Sequence, residues 1–357
     1  MNRRTFVKTT GLALFGAALP LYAKVKRGKV LVVFFQRGAV DGLNMIVPYG
    51  ERAYAASRPT IGIDRKEIQD LDGFFGAHPS LQSLMPFWKD RSLAVVQAVG
   101  SPDATRSHFD AQDFMETGTP GVKSTKDGFL ARAISDARST APRAVAVTAT
   151  LPRIFAGAPD AIAASDLAKF RNDGASKVFA AMYPDAFAAA KILGSVHASG
   201  TPLQQVAALI KAGVGVEIAF VETNGWDTHA GQAAPLANNL KRLSEDIAAF
   251  AQSLGSKMAD VVLVTMSEFG RTVHENGNRG TDHGHGSVML VLGGNTRGGK
   301  VHGKWPGLER EQLFEGRDLA VTTDFRDVFA EVLSKHLGVG EMGKVFPAYA
   351  PKPIGVM

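Results

Sequence analysis

Six short apolar runs set the strongest limit on how this chain can fold. They are rich in β-branched residues, and each is followed by a polar loop and then a helical stretch. The runs are residues 29–35, 92–99, 143–149, 214–222, 260–266 and 288–294. Because they show almost no polar alternation, they fit strands that are buried on both faces, in a parallel sheet covered by helices. The sequence therefore predicts an α/β fold, a three-layer α/β/α sandwich with a mostly parallel central sheet.

Three segments between or after these runs carry helical signals. Residues 234–255 have apolar side chains at helical spacing and end at a glycine. Residues 322–338 begin with Thr and Asp, which cap helix N-termini, and end with basic residues and a glycine. The alanine-rich stretch at about 156–212 has mostly helical periodicity and few reactive side chains. We expect it to be a helical insertion or cap on the sheet.

The N-terminal residues 1–23 have the features of a twin-arginine export signal. Arg3 and Arg4 precede a modest apolar run, and a small residue stands at the expected cleavage position. The run is shorter than the roughly 20 apolar residues that cross a membrane. We predict a periplasmic or otherwise exported protein that is carried by the twin-arginine machinery, and a mature chain, 24–357, that forms one domain without a stable membrane span. The alternative is a basic helix that packs on the domain.

Charge and composition exclude several kinds of partner and ligand. The chain has 40 basic and 34 acidic residues, a net charge of +6, and the signal contains three of the basic residues and no acidic one. The mature chain is then left with 37 basic residues and a net charge of +3. This balance, without a basic and aromatic stripe, argues against nucleic-acid binding. Because there is no cysteine, a metal ion would have to be bound by His, Asp, Glu or Ser.

Four loops that follow predicted strands carry side chains that could bind a metal or act in catalysis. In an open α/β sheet, ligands bind beyond the carboxyl ends of the strands. The candidates are Asp41 after the first run, Ser107 and His108 after the second, Asp227 and His229 after the fourth, and Glu268, Arg271, His274, Asp282, His283 and His285 after the fifth. We expect these side chains to converge at one edge of the sheet.

Some of these candidates also have ordinary structural explanations. Asp commonly stabilises turns and Ser commonly caps helices, so Asp41 and Ser107 are each ambiguous alone. Asp227 and His229 are a stronger pair, because a carboxylate and an imidazole two residues apart can reach one ion. The stretch GTDHGHGS, 280–287, favours a metal site, because ordering a glycine-rich loop costs entropy that a bound ion could offset. The alternative is a solvated turn.

Several segments of the chain resemble the exported DUF1501 family, which is itself similar to the alkaline phosphatase and sulfatase superfamily. The matching segments are 37–59, 107–118, 225–232, 266–272, 280–294 and 298–308, and they span nearly the whole mature chain. The resemblance implies an alkaline phosphatase-like fold. It also implies two metal ions beside a Ser, Thr or modified Cys nucleophile at the start of a helix.

The order of the candidate residues agrees with that superfamily. By resemblance, Asp41 corresponds to the metal-binding carboxylate after the first strand, and Ser107 corresponds to the nucleophile. Asp227 and His229 correspond to a ligand pair after a later strand. His283 or His285 corresponds to the final histidine, which precedes another strand.

One position departs from the superfamily pattern. The superfamily usually has an Asp-His pair directly after the strand that ends here at Met266, and this chain has Glu268 and Phe269 instead. We expect Glu268 to be the substitute metal-binding carboxylate. The second metal site then lacks a ligand unless Asp282 or His274 supplies one.

These features predict an exported, metal-dependent hydrolase of phosphate or sulfate esters, with Ser107 as nucleophile beside one or two ions. Arg271, His108 and Arg37 are candidates for holding the anionic substrate. Histidine and carboxylate ligands favour Zn or Mn, and an all-oxygen subset would favour Ca or Mg. Two alternatives stay open. One is a non-catalytic, metal-stabilised periplasmic binding or assembly protein of the same fold, and the other is a metal hydrolase that uses a bound water.

Overall fold

A computed structural model of the chain describes residues 28–134, 142–167 and 192–357. The predicted export signal and residues 168–191 of the predicted insertion lie outside these ranges. The strands are β1 (Val30–Gln36), β2 (Ile46–Val47), β3 (Gln69–Asp70), β4 (Gly76–Ala77), β5 (Leu93–Gly100), β6 (Ala144–Ala146), β7 (Ala161–Ala163), β8 (Ile218–Thr223), β9 (Val261–Met266), β10 (Ser287–Gly293), β11 (Val301–His302) and β12 (Thr323–Asp324).

The helices lie between groups of these strands and after the last one. The α-helices are α1 (Gly42–Met45), α2 (Arg52–Ser57), α3 (Met85–Lys89), α4 (His108–Thr117), α5 (Phe129–Ile134), α6 (Pro202–Ala212), α7 (Ala233–Leu254), α8 (Phe325–Val332) and α9 (Met342–Val345). Short 3-10 helices span Pro79–Leu84, Arg153–Phe155, Gly255–Asp260 and Arg310–Gln312, and a π-helical turn, Leu333–Leu337, follows α8. The helices predicted at 234–255 and 322–338 are thus confirmed.

A nine-stranded sheet forms the centre of the described structure. Its strand order is β11-β5-β10-β9-β1-β8-β6-β7, and β12 pairs with the end of β5. Neighbouring strands are parallel except on the two sides of β10, which runs antiparallel to both β5 and β9. Each of the six apolar runs overlaps a strand of this sheet, which confirms the predicted α/β class with a mostly parallel sheet.

Helices cover both faces of the sheet. On one face, Leu243 of α7 belongs to the same buried cluster as Phe34 of β1. On the other face, Phe329 of α8 belongs to the cluster that contains Phe35. Because successive side chains of a strand point to opposite faces, β1 must be apolar at nearly every position. This explains the absence of polar alternation, and the arrangement is the predicted three-layer sandwich.

The antiparallel direction of β10 brings two sets of candidate residues to one edge of the sheet. β1, β5, β8 and β9 end at this edge, and β10 begins there. The connection 267–286 therefore leaves and returns at the carboxyl edge. Its two arms pack closely, because a Cβ on Gly284 would lie 2.3 Å from the carbonyl carbon of Arg271 and one on Gly270 would lie 1.8 Å from the oxygen of Gly286. Backbone packing thus orders this glycine-rich connection.

The described parts of the predicted insertion join the main body. Residues 161–163 form β7, which pairs in parallel with β6 at the end of the sheet. Helix α6 begins with a capping box at Thr201 and packs against α7. Within the described ranges, no helix is both long enough and apolar enough to cross a membrane.

Candidate metal centre

Four side chains from three loops meet at the carboxyl edge of the sheet. His108 begins α4 after β5, Asp227 and His229 follow β8, and His283 precedes β10. Ligand atoms of His108, Asp227 and His283 all lie within 4.8 Å of one another. His229 joins them, because its Nε2 lies 2.9 Å from Oδ1 of Asp227 and 3.0 Å from Nε2 of His283. We call these four residues the metal cluster.

The distances among His108, Asp227 and His283 match those between ligands of one small ion. Nε2 of His283 lies 3.0 Å from Nε2 of His108 and 3.3 Å from Oδ1 of Asp227. Nε2 of His108 lies 3.6 Å from Oδ2 of Asp227. Ligand atoms bound at zinc-like distances at the corners of a tetrahedron would lie roughly 3.3 Å apart.

The Nδ1 atom of each imidazole in the cluster lies beside an oxygen atom. These contacts are His108 to Oε1 of Glu268 at 2.8 Å, His229 to Oδ1 of Asp282 at 3.1 Å, and His283 to the carbonyl oxygen of Arg106 at 2.9 Å. A neutral imidazole that donates from Nδ1 has a bare lone pair on Nε2. Lone pairs 3.0 Å apart repel one another unless a proton or a cation lies between them. The donor set therefore fits a divalent metal ion, whose histidine ligands are commonly oriented through Nδ1 in this way.

Glu268 lies behind His108 rather than among the four clustered side chains. Its Oε1 lies 2.8 Å from Nδ1 of His108 and accepts hydrogen bonds of 2.8 Å from Nε2 of Gln112 and from the backbone N–H of Gly38. Burial disfavours the charged carboxylate, but the hydrogen bonds outweigh burial and lower the pKa of Glu268. The same contact with Glu268 raises the pKa of His108. Glu268, predicted as a ligand, is thus placed to orient one.

Arg271 holds Asp227 from inside the protein. Its Nη2 donates a 2.5 Å hydrogen bond to Oδ1 of Asp227, and its side chain is completely buried. The other hydrogen bonds of the guanidinium go to the carbonyl oxygens of Gly38, Ala39, Trp226 and Thr281. Burial opposes ionisation of Asp227, but the bond from Arg271 outweighs burial and lowers its pKa. Arg271, predicted to hold an anionic substrate, here joins three loops.

Asp282 and His285, the other two candidates of the GTDHGHGS stretch, lie outside the metal cluster. Asp282 receives a hydrogen bond from Asn276, and this bond, together with His229, lowers its pKa. The ring of His285 stacks on Phe314 with centroids 4.4 Å apart, and burial lowers its pKa. The structure thus brings only His283 of this stretch into the cluster, while Asp282 contacts it from outside.

Asp41 lies fully buried, in an ion pair with Arg58. Its Oδ2 accepts from Nη1 of Arg58 at 2.6 Å and from Nε2 of Gln232 at 2.5 Å, and its Oδ1 accepts from the backbone N–H of Asn44 at the start of α1. The predicted metal carboxylate is therefore paired with a guanidinium. His274, named as a possible replacement ligand, is exposed on the connection before β10.

Ser107 precedes the cluster residue His108 and stands at the N-terminus of α4. Its Oγ lies 3.5 Å from the backbone nitrogen of Asp110, a long capping contact, and the residue is exposed. Arg37, another candidate for anion binding, forms ion pairs with Glu116 and Glu222. Ser107 is thus an exposed residue next to His108 along the chain, whereas Arg37 is engaged by two carboxylates.

Several residues that support the cluster are not among the site residues predicted from the sequence. Gln112 lies one helical turn after His108 on α4, so the i, i+4 spacing could have identified it as a neighbour. Its Oε1 accepts from Arg37, which fixes its Nε2 toward Glu268. Arg58 carries no comparable signal, because α2 and the loop after β1 meet only in the tertiary structure.

Comparison with known proteins gives one family match. The family described as "Protein of unknown function (DUF1501)" matches residues 202–348. This match confirms the resemblance predicted from the sequence, over the part of the chain that contains Asp227, His229 and His283. A search of curated proteins finds no match.

Solved structures that are similar to this chain share little sequence with it. The C-terminal periplasmic domain of EcEptC from Escherichia coli, in complex with Zn, is 12% identical, with 94% of this chain and 92% of that chain covered and a TM-score of 0.47. A protein in the alkaline phosphatase superfamily from Vibrio parahaemolyticus is 10% identical, with coverage of 78% and 62% and a TM-score of 0.38. The lipoteichoic acid synthase LtaP from Listeria monocytogenes is 10% identical, with coverage of 77% and 68% and a TM-score of 0.36.

Proposed function

We propose that this protein is an exported, metal-dependent hydrolase of phosphate or sulfate esters, with one divalent ion held by the metal cluster. The observation that carries this proposal is that Nε2 of His283 lies 3.0 Å from the Nε2 atoms of both His108 and His229, while each Nδ1 lies beside an oxygen. A cation that lies among the Nε2 atoms would be bound by their lone pairs, which would otherwise repel one another. Three imidazoles and a carboxylate suit Zn or Mn.

The position of the cluster suits a reaction with a soluble ester. The side chains of Asp227 and His229 are 44% and 43% exposed, so the cluster opens to solvent at the carboxyl edge of the sheet. A divalent ion there would supply positive charge to stabilise the non-bridging oxygens of the ester in the transition state. Ser107 directly precedes His108 at the start of α4.

Ser107 is our candidate nucleophile. It is exposed, and it precedes His108 at the N-terminus of the ten-residue helix α4. The partial positive charge of a helix N-terminus favours an anionic ester and the deprotonated form of a nearby hydroxyl. In this account His108 acts as a ligand and Arg271 as the group that orients Asp227.

One observation favours the non-catalytic alternative. His229 lies within 3.0 Å of two of the other cluster residues, so four protein side chains would complete a tetrahedral shell if it also bound the ion. Structural zinc sites are closed in this way, whereas catalytic sites keep a position open. The ion would then tie together the loops before α4, after β8 and before β10. The protein would be a metal-stabilised periplasmic binding or assembly protein.

Turnover of aryl phosphate and aryl sulfate esters by zinc-loaded protein separates these functions. We expect hydrolysis that falls by at least about 1,000-fold in Ser107→Ala, with bound zinc retained. The matched control is Ser253→Ala, at an exposed position of α7, which should keep full activity. Retained turnover in Ser107→Ala would instead favour the bound-water hydrolase. A zinc-loaded wild type that hydrolyses neither ester class would favour the binding protein.

A further inference from the structure

A buried polar network lies beneath the metal cluster, with Gln232 at its centre. Gln232 precedes α7 and is fully buried. Its Oε1 accepts hydrogen bonds from Oγ1 of Thr228 at 2.9 Å and from Oγ1 of Thr281 at 2.6 Å. Its Nε2 donates to Oδ2 of Asp41 at 2.5 Å. One amide therefore joins three loops at the carboxyl edge of the sheet.

The two threonines belong to the loops that carry most of the proposed ligands. Thr228 lies between Asp227 and His229, and Thr281 lies two residues before His283. Both threonines are buried, and the backbone N–H of Thr281 donates to the carbonyl oxygen of Thr228 at 3.2 Å. The spacing between these loops therefore depends on groups that Gln232 holds directly.

The far side of the network is anchored by the ion pair between Asp41 and Arg58. Arg58 also donates to Oδ1 of Asn44 and to the carbonyl oxygens of Thr272 and Val273. The side chains of both ion-pair partners are completely buried. The carboxylate of Asp41, held in a fixed position by Arg58, therefore accepts the hydrogen bond from Nε2 of Gln232 and sets the orientation of the Gln232 amide.

We propose that Gln232 is a positioning residue, which fixes the distance between the loop of Asp227 and His229 and the loop of His283. This inference rests on the proposed metal centre. An amide suits the position, because its oxygen accepts from two hydroxyls while its nitrogen donates to a carboxylate. A leucine could form none of these bonds. Polar networks of this kind define one geometry only when every member is satisfied.

Zinc affinity and cobalt spectroscopy test this role in the full protein. We compare Gln232→Leu with Gln205→Leu, because Gln205 is also buried but bonds the backbone of Leu167 and Gly200 instead of the loops of the cluster. The zinc Kd is measured by competition with a chromogenic chelator. We expect Gln232→Leu to raise the Kd by about 10- to 100-fold and to change the visible spectrum of the Co²⁺-loaded protein, which reports coordination geometry. Gln205→Leu should leave both unchanged.

Thr281→Val removes one hydroxyl with little change of shape, and it decides the question if Gln232→Leu does not fold. We expect Thr281→Val to weaken zinc binding in the same direction. A folded Gln232→Leu protein with the wild-type Kd and the wild-type Co²⁺ spectrum would overturn the positioning role. If Gln232→Leu does not fold, the same result in Thr281→Val would overturn it. An equal loss of affinity in Gln205→Leu would also overturn it. A wild type that binds no zinc would refute the metal centre itself, which is a different result.

Discussion

Nδ1 of His108 lies 2.8 Å from Oε1 of Glu268, while Nε2 of the same ring lies 3.0 Å from Nε2 of His283. The ring therefore has a carboxylate on one side and the metal cluster on the other. Glu268 is completely buried at its side chain and also receives hydrogen bonds from Gln112 and Gly38. Its position behind the imidazole, with its charge retained, is the arrangement that orients a histidine ligand and increases its basicity.

We predict that Glu268→Gln weakens zinc binding about 10-fold, because it removes the charge behind His108 while keeping the size of the side chain. The same change should lower the pKa of His108, which an NMR titration of the metal-free protein measures. Glu217→Gln is the control, because Glu217 pairs with Arg143 just before β8, at the opposite end of that strand from Asp227. Unchanged zinc affinity in Glu268→Gln would show that Glu268 does not act on the centre.

Zinc affinity should increase as the pH rises through the pKa of His108. Glu268 raises this pKa, so in the metal-free protein a proton occupies the ring at higher pH than in an unperturbed histidine. Metal binding requires the neutral ring. The zinc Kd, measured between pH 6 and pH 8, should therefore fall over this range, and a Kd independent of pH would contradict the assignment of His108 as a ligand.

The stability of the metal-free protein should show the opposite trend. A pKa that is raised on folding makes the proton on His108 stabilising below the unfolded pKa, and this contribution is lost as the pH rises through the folded pKa. We expect the melting temperature of metal-free wild type to fall relative to that of His108→Gln across that range. A constant difference between the two proteins would contradict the raised pKa.

Arg58→Met should lower the free energy of unfolding by about 3–5 kcal/mol, because it leaves the carboxylate of Asp41 buried without its cation. The control is Lys241→Met, which removes an exposed partner of Glu245 on α7 and should cost less than about 0.5 kcal/mol. Urea unfolding of the metal-free proteins measures both changes. Equal losses for the two variants would mean that the buried pair contributes no more than the exposed one.

Replacing Arg3 and Arg4 together by lysine should keep the protein in the cytoplasm. The prediction follows from the twin-arginine pattern of residues 1–23. Cell fractionation followed by detection of the protein measures it, with Lys8→Arg as a control that preserves the charge. Normal export of the double variant would contradict the proposed route.

The sheet could be predicted because burial on both faces leaves a direct mark on sequence. β1, β5, β9 and β10 are buried at every position, so each appears as an almost continuous apolar run. The direction of β10 leaves no such mark, since an antiparallel strand between buried neighbours is as apolar as a parallel one. Only the structure shows that β10 begins where the others end.

The candidate site was predictable at the level of loops and less so at the level of single atoms. Asp227, His229 and His283 converge as the sequence indicated. The role of Glu268 could not be predicted in the same way, because a carboxylate after a strand can either bind the ion or accept a hydrogen bond from an imidazole ligand. Which of the two it does depends on neighbouring residues such as Gln112. The ion pair of Asp41 could not be predicted either, because its partner Arg58 comes from another element.

Metal content of the mature protein, measured by mass spectrometry after purification from the periplasm without added metal, tests the central claim most directly. We predict one divalent ion per chain in the wild type and in His197→Ala, which changes an exposed histidine outside the cluster. In His283→Ala the ion should be lost while the protein remains folded. A wild type without stoichiometric metal, or a His283→Ala variant that keeps its ion, would contradict the metal centre.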